Sequence, residues 1–431
     1  MTTEPVSSPA SKLANFALRL LRAVLLLVLC GTIAVLFLLA AFAAIDPIRA
    51  TDSAAVKRAA PIAVAIGALL PVLLLWLAYR LRLRSWWWLG GGWLLVAPVL
   101  VYLATDEPAV RRPLTMEEVS PPFPGAAESY AVLHRYEKNS PATKALKLST
   151  LNLPRDPAAM PEFAAANRAR IETIWADHAP LLAWYDELNA FDRIGDLGEA
   201  SLDAPIPAFA PHRAVAQVAR LKSALLTLDG RGDEAIATVL PVLEVTRKLQ
   251  VHSRSLVRSM IAQASRNTAL DAAEFALART AVSPEMRARL HTAIGPAFGE
   301  AGVRRLFAIE YAYWASGSIT SFYIGTGKLP AIFRVPLEFS TPVFINPNRT
   351  INLMGDHMAE LQDLAARRLP LVGRHETALK GHDLPFKNLA GAVLLATGHM
   401  SYQRVVDSYW KLDDRCAALR ARLEASATAA R

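Results

Sequence analysis

Residues 24–104 constrain this chain more than any other stretch. Val24–Ile45 reads VLLLVLCGTIAVLFLLAAFAAI, 22 residues without a charge. A helix rises about 1.5 Å per residue, so this run covers the ~30 Å hydrocarbon core of a bilayer. Ile62–Tyr79 is a second apolar run, with Pro61 where a first-turn proline is tolerated and Pro71 set to kink the interior. Trp86–Ala104 is a third, although Gly90, Gly91, Gly92 and Pro98 disfavour a straight helix there. Trp86, Trp87 and Trp88 follow directly on Arg80, Arg82 and Arg84. Aromatic rings beside a basic loop are what a membrane interface selects. The sequence therefore predicts a tail at 1–22 and a membrane region at 23–104 with spans at 24–45, 62–79 and 86–104.

Basic residues in the short flanks set the orientation. Lys12, Arg19, Arg22, Arg80, Arg82 and Arg84 fall on one side, and Arg49, Lys57 and Arg58 on the other. The expectation is a cytoplasmic N-terminus, a bacterial inner-membrane location and a large domain outside the cytoplasm. Ala41-Phe42-Ala43 has the form of a signal-cleavage site. The apolar run before it exceeds the ~7–15 residues of a signal core, so a retained span is expected. No span has an Asp, Glu, Lys, Arg or His in its interior. Transport pathways need such groups, so the spans read as an anchor, with the lipid bilayer as their partner. An accessory place in a transport complex is the weaker alternative.

The charge balance also excludes a class of partner. The net charge is +9, of which residues 1–104 carry +6 and residues 105–431 only +3. Most of the excess lies beside the spans, so no nucleic-acid partner is expected. The two cysteines, Cys30 and Cys416, lie far apart in sequence and predict no disulfide.

Beyond the spans the pattern is helical throughout. The predicted fold class is all-α: N-terminal transmembrane helices, then a large soluble domain of helical hairpins. Five prolines between Asp106 and Pro124 mark a linker at 105–125. A first helical segment follows at 126–195, with Tyr130, Leu133 and Tyr136 on one face. Phe163, Ile171, Ile174 and Trp175 form a second stripe, and Leu181, Leu182, Trp184, Tyr185 and Leu188 a third. Gly195–Pro211 reads as an internal boundary, and 210–431 as the main helical domain.

His212–Leu249 is the best-patterned stretch. Val215, Val218, Leu221, Leu225 and Leu228 recur at helical spacing. Asp229-Gly230-Arg231-Gly232 predicts a turn, with Asp233 capping a second helix that turns Ile236, Val239, Leu240 and Leu243 inward. The Gly232–Ile236 run (GDEAI) resembles the second helix of a tetratricopeptide repeat. No second copy follows at a fixed period, so a repeat array is not expected. Ser255–Leu277 predicts a helix burying Leu256, Met260 and Ile261, and Ser283-Pro284 opens another. Gly302–Tyr323 predicts an aromatic helix carrying Phe307, Tyr311, Trp314, Phe322 and Tyr323. Gly325–Asn346 reads as an extended loop, Pro347–Arg368 as a helix, Leu369–Pro385 as a loop and Phe386–Ala425 as closing helices. The hairpin at 215–250, Pro347–Thr350 and Asn388–Gly391 (NLAG) resemble parts of bacterial membrane-anchored helical proteins of no assigned activity. That resemblance implies an all-helical domain and supplies no chemistry.

Candidate chemistry is sparse. Gly325-Thr326-Gly327-Lys328 lacks the earlier glycine of a phosphate loop, because Phe322 occupies that position. His375, Glu376, His382 and Asp383 lie in a loop at a spacing that no zinc template uses. Asp356, Glu360 and Asp363 share a helix face, which His357 can join through Glu360. That face is the one candidate for an enzyme, and a solvated surface is the expected reading. Cys416 has no histidine near it in sequence and is not expected to be a nucleophile. The reading assigns no catalytic, cofactor or metal residue. It expects a protein-interaction or envelope-scaffold role with an envelope protein as partner, and leaves any small-molecule ligand open.

Overall fold

The computed structural model describes residues 16–33 without 22 and 27, residue 76, residues 85–136 without 107, 110, 112 and 113, residue 154, and residues 159–198, 207–314, 346–371 and 402–429. All regular structure among these residues is helical, and no strand occurs. The fold is all-α. The described residues fall into two compact units. The first holds residues 16–111 and 346–356, and the second holds 114–314, 357–371 and 402–429.

In the first unit, α1 (Phe16–Ile33) is the one helix among the described residues that is long and apolar enough to cross a membrane. It starts eight residues before the expected span at Val24. Residues 34–45 and most of 62–79 lie outside the described residues. The third expected span is helical, as α2 (Ser85–Ala104) with Pro98 inside it. Leu25, Leu26, Leu29 and Ile33 of α1 pack against Val96 and Leu100 of α2. Gly92 makes this approach possible, because a Cβ there would stand 2.6 Å from a Leu29 methyl. After α2 the chain is tied to α13 (Pro347–Ala366). The Asp106 carboxylate accepts the backbone N–H of Asn348 (2.8 Å) and Arg349 (3.1 Å), which the first turn of a helix leaves unpaired. Asn346 donates to Leu103 O (3.0 Å), and Asn352 bridges Pro108 O and the Arg111 N–H.

In the second unit, residues of the proline-rich segment form a single helical turn, α3 (Met116–Val119), closed by a capping box between Thr115 and Glu118. Helix α4 (Ala126–His134) follows. The two stripes at 163–175 and 181–188 fall on three helices: α5 (Met160–Ala166), α6 (Arg168–Asp177) and α7 (Ala179–Asn189). Both sides of the Gly195–Pro211 break belong to this unit.

The core is built on three long helices, α8 (Phe209–Leu228), α9 (Gly232–His252) and α10 (Leu256–Arg279). The α8–α9 hairpin forms where the periodicity placed it, and Val215, Val218, Leu221 and Leu225 are buried. Leu228, at the frayed end, is instead 38% exposed. The turn needs Gly230, whose φ is +74°. Asp233 does not cap α9, which begins a residue earlier at Gly232. Its carboxylate accepts the Ser283 N–H (2.7 Å), and a Cβ on Gly232 would meet Ala281 O at 2.4 Å. The start of α9 therefore clasps the turn into α11 (Pro284–Ile294), which Ser283 caps by accepting the Met286 N–H (3.2 Å).

Helix α12 (Gly299–Ala312) and the closing helix α14 (Tyr402–Ala429) complete the unit. Asp413 of α14 accepts the N–H of Phe298 (2.7 Å) and Gly299 (3.0 Å), capping α12 from a distance. Leu412, Cys416, Leu419 and Leu423 of α14 join the core.

Candidate functional site

Helix α10 departs most from its sequence reading. Met260, expected inside, is 37% exposed. Arg258, Ser259, Gln263, Ser265 and Arg266 are buried instead. Ser259, Gln263 and Arg266 stand at i, i+4 and i+7, so they share one face. Their burial without full pairing is unusual, since a buried donor normally finds an acceptor. Ser259 Oγ, Gln263 Nε2 and Arg266 Nε have no hydrogen-bond partner among the described residues.

The Ser259 end of this face opens on a cavity of about 200 Å3. Gln250 and Val251 of α9, Phe298 before α12, Leu306 and Ile309 of α12, and Tyr409 of α14 form much of its wall. Ser259 and Arg305 supply the polar groups on opposite helices. Val251 and Ala301 are exposed and mark the mouth. The remaining wall residue, Gly302, is a steric requirement. A Cβ there would lie 1.8 Å from the Tyr409 hydroxyl, which donates to Gly299 O (3.2 Å).

Arg305 reaches the cavity from α12. One of its Nη atoms donates to Val119 O and the other to Ser253 O (3.0 Å), leaving Nε without a partner. Arg266 lies behind the wall, with its guanidinium 5.3 Å from the centre of the Phe298 ring. It donates to Gln250 Oε1 (2.9 Å) and to Ile294 O. Gln250 thus spends its acceptor on Arg266. Burial pulls both guanidiniums below their ordinary pKa, with the Asp196 charge partly offsetting the effect at Arg305. The hydrogen bonds of both cations end on carbonyl oxygens, and neither has a carboxylate in direct contact. The cavity is therefore apolar over most of its wall, with Ser259 and the Arg305 guanidinium among its polar lining residues.

One buried carboxylate organises the neighbouring arginines. Asp196 pairs with Arg258 (3.0 Å) and accepts the Arg254 N–H (2.8 Å). Arg254 in turn donates to Ser120 O (2.8 Å) and reaches Glu117 (3.3 Å). These contacts hold the α9–α10 turn, and with it Ser253 beneath Arg305.

The acidic face of α13 does not assemble. Asp356 is exposed and paired with Arg111 (2.7 Å), and Asp363 is paired with Arg304 (2.9 Å). Glu360 is exposed, whereas His357 is buried at 3% exposure. No group of three or more metal-ligating side chains occurs among the described residues. Gly325–Lys328 and the His375–Asp383 loop lie outside the described residues, as do Phe322, Tyr323 and Asn388–Gly391. Cys416 is sealed in the core, where burial pushes its thiol pKa up. Tyr185 and His212 form a buried pair (2.7 Å), with the histidine held neutral by burial at a pKa of about 3. Trp184 closes over them, so this pair is core structure.

Sequence reasoning missed the cavity. Its polar members are scattered over α9, α10 and α12, and they form no motif. The signal that could have found it is the run of polar residues at core positions of α10, read as a weak helix pattern. Compared with protein-family models, with curated proteins and with solved structures, the chain matches none.

Proposed function

We propose that this chain is a membrane-anchored binding protein whose helical second unit takes a small molecule in the cavity between α9, α10, α12 and α14. The observation that carries this reading is Ser259. Ser259 lines a largely apolar cavity, is 1% exposed, and its hydroxyl has no partner among the described residues. Leaving such a donor unmet costs about 1–3 kcal/mol, so a ligand that meets it gains that energy back. Apolar walls with a few convergent polar groups are the usual composition of a ligand pocket. An envelope partner, the sequence's own expectation, remains compatible as the protein that delivers or receives the ligand.

The anchoring half of the proposal rests on α1 and α2. Phe16, Leu20, Leu21, Leu94, Leu95 and Val101 all point away from the α1–α2 contact and are exposed, Leu94 at 76%. Apolar surface of this extent is stable against lipid and costly against water. Three spans with the N-terminus in the cytoplasm would put the helical domain outside it, in the envelope of a bacterial cell.

The test compares the full-length protein with Ala301→Trp, both purified from membranes. Ala301 is exposed at the cavity mouth, so an indole there fills space without breaking a core contact. Solvent extracts of the two, compared by mass spectrometry, should differ in one stoichiometric small molecule carried by the wild type alone. Identical extracts would count against a ligand held in this cavity.

A further inference from the structure

The cavity's chemistry also narrows what it takes, on the premise that it is a ligand site at all. We propose that its ligand is an apolar monocarboxylate of medium chain length, with the carboxylate set between Ser259 and Arg305 and the chain along Phe298, Leu306 and Ile309. Three features point this way.

The first is the sign of the polar groups. Arg305 Nε is an unmet donor, the Ser259 hydroxyl is free to donate, and Gln250 offers its Nε2 donors while its oxygen already accepts from Arg266. Tyr409 has already directed its proton to Gly299 O. A ligand that brings a negatively charged acceptor meets the guanidinium, the hydroxyl and the amide together. An ammonium would face a guanidinium and a row of donors, and it would be repelled.

The second feature is the number of donors. A phosphate dianion needs several charged donors or a helix N-terminus aimed at it. Arg305 is the one charged side chain in the wall, and two of its five N–H groups are already spent on the Val119 and Ser253 carbonyls. One guanidinium, one hydroxyl and one amide match the single charge and the two oxygens of a carboxylate. A neutral alcohol of the same length would fill the walls equally well. It would leave the Arg305 charge without a counter-ion, and charge-assisted hydrogen bonds are about twice as strong as neutral ones.

The third feature is size. An apolar cavity of ~150 Å3 accepts the six carbons of benzene, so about 200 Å3 accepts roughly eight non-hydrogen atoms. Octanoate, slightly larger, fills it and brings its chain end to the mouth. A longer acyl chain would have to leave through the mouth between Val251 and Ala301.

The experiment uses full-length protein in phosphatidylcholine nanodiscs, with octanoate, 1-octanol and octylammonium as probes. Carboxyl-labelled octanoate is titrated by carbon NMR, and the other two probes compete against it. Ala301→Trp in the same nanodiscs supplies the background of partition into lipid. The expected result is saturable octanoate binding in the wild type and none in Ala301→Trp. Octanol and octylammonium should each be at least about tenfold weaker, the size of a lost hydrogen bond to a charged group. Ser259→Ala removes one hydroxyl without adding bulk, and it should weaken octanoate about tenfold while leaving octanol little changed. Octanol or octylammonium binding as tightly as octanoate would overturn the carboxylate assignment while leaving a cavity ligand intact. Octanoate binding unchanged by Ser259→Ala would overturn the placement of the carboxylate. Failure of all three probes to bind above the Ala301→Trp background would overturn the cavity reading itself.

Discussion

Glu310 is a carboxylic acid whose ionisation the fold opposes. It is 8% exposed on α12, and one carboxyl oxygen accepts from Trp314 Nε1 (2.9 Å) and Tyr402 Oη (3.1 Å). Burial pushes its pKa up, and these two hydrogen bonds pull it part of the way back. The folded chain therefore keeps the proton at pH values where the unfolded chain has lost it. Below the ordinary carboxylate value of 4.5, both states hold the proton and the group has no effect on stability. As pH rises from there to the raised value, the unfolded state ionises first and stability falls. Above the raised value no further loss occurs. Glu310→Gln keeps an oxygen for both donors and cannot ionise. Thermal midpoints of the two proteins, measured in nanodiscs from about pH 4 to about pH 8, should show a downward slope in the wild type that the variant lacks. Equal slopes would mean that Glu310 titrates normally. Asp196 is buried too, and its carboxylate holds arginines in the core through Arg258 and the Arg254 N–H.

At the scale of elements, α12 and α14 meet over a glycine. Any side chain at Gly302 would overlap the Tyr409 hydroxyl and approach the Phe298 Cβ at 2.7 Å. Gly302→Ala should therefore push the helices apart or drive Tyr409 from its place on Gly299 O, with a loss of about 1–3 kcal/mol typical of overpacking. Tyr409→Phe alone removes one hydrogen bond and should cost about 1 kcal/mol. Combined with Gly302→Ala it removes the closest clash, so the double variant should be more stable than the sum of the two losses. Denaturation of all four proteins closes the cycle, and simple additivity would rule out the contact.

This packing was not legible in the sequence, and the contrast with α8–α9 explains why. Val215, Val218, Leu221 and Leu225 are apolar at helical spacing, and burial of apolar surface is the force that placed them inside. The Gly230 turn declares itself through the need for a positive φ. Helix α10 buries Ser259, Gln263 and Arg266 and exposes Met260, so hydropathy reads its face wrongly. Its burial is fixed by partners distant in sequence: Gln250, Ile294 and the Phe298 ring for Arg266. Asp233 shows the same limit at an end. An acid at a helix start was visible, but its partner Ser283 lies fifty residues away, so a cap was the only local reading. The acidic face of α13 was legible as a pattern, but its ion-pair partners Arg111 and Arg304, distant in sequence, were not.

At the scale of the molecule, the proposed anchor and the proposed ligand make a joint demand on topology. Residues 1–104 carry most of the net positive charge, grouped beside the apolar runs, and residues 105–431 are nearly neutral. A domain with so little net charge has no electrostatic reason to stay on the basic side of a membrane. A cavity for an apolar acid also suits a compartment where such molecules meet the protein at a bilayer surface. Cysteine labelling tests the arrangement with little disturbance, since the native Cys30 and Cys416 are both buried and can be replaced by alanine. In that background, Glu285→Cys on exposed α11 reports the side of the helical domain, and Ser7→Cys reports the N-terminal tail. A membrane-impermeant maleimide applied to bacterial cells with permeabilised outer membranes should label Glu285→Cys and spare Ser7→Cys until the inner membrane is opened. Labelling of Ser7→Cys alone would invert the topology and move the search for the ligand to the other face. Labelling of both positions from outside would require an even number of crossings. The apolar run at 86–104 would then lie along the membrane surface, or the run at 62–79 would not span, and the exposed leucines of α2 would have to find cover other than lipid.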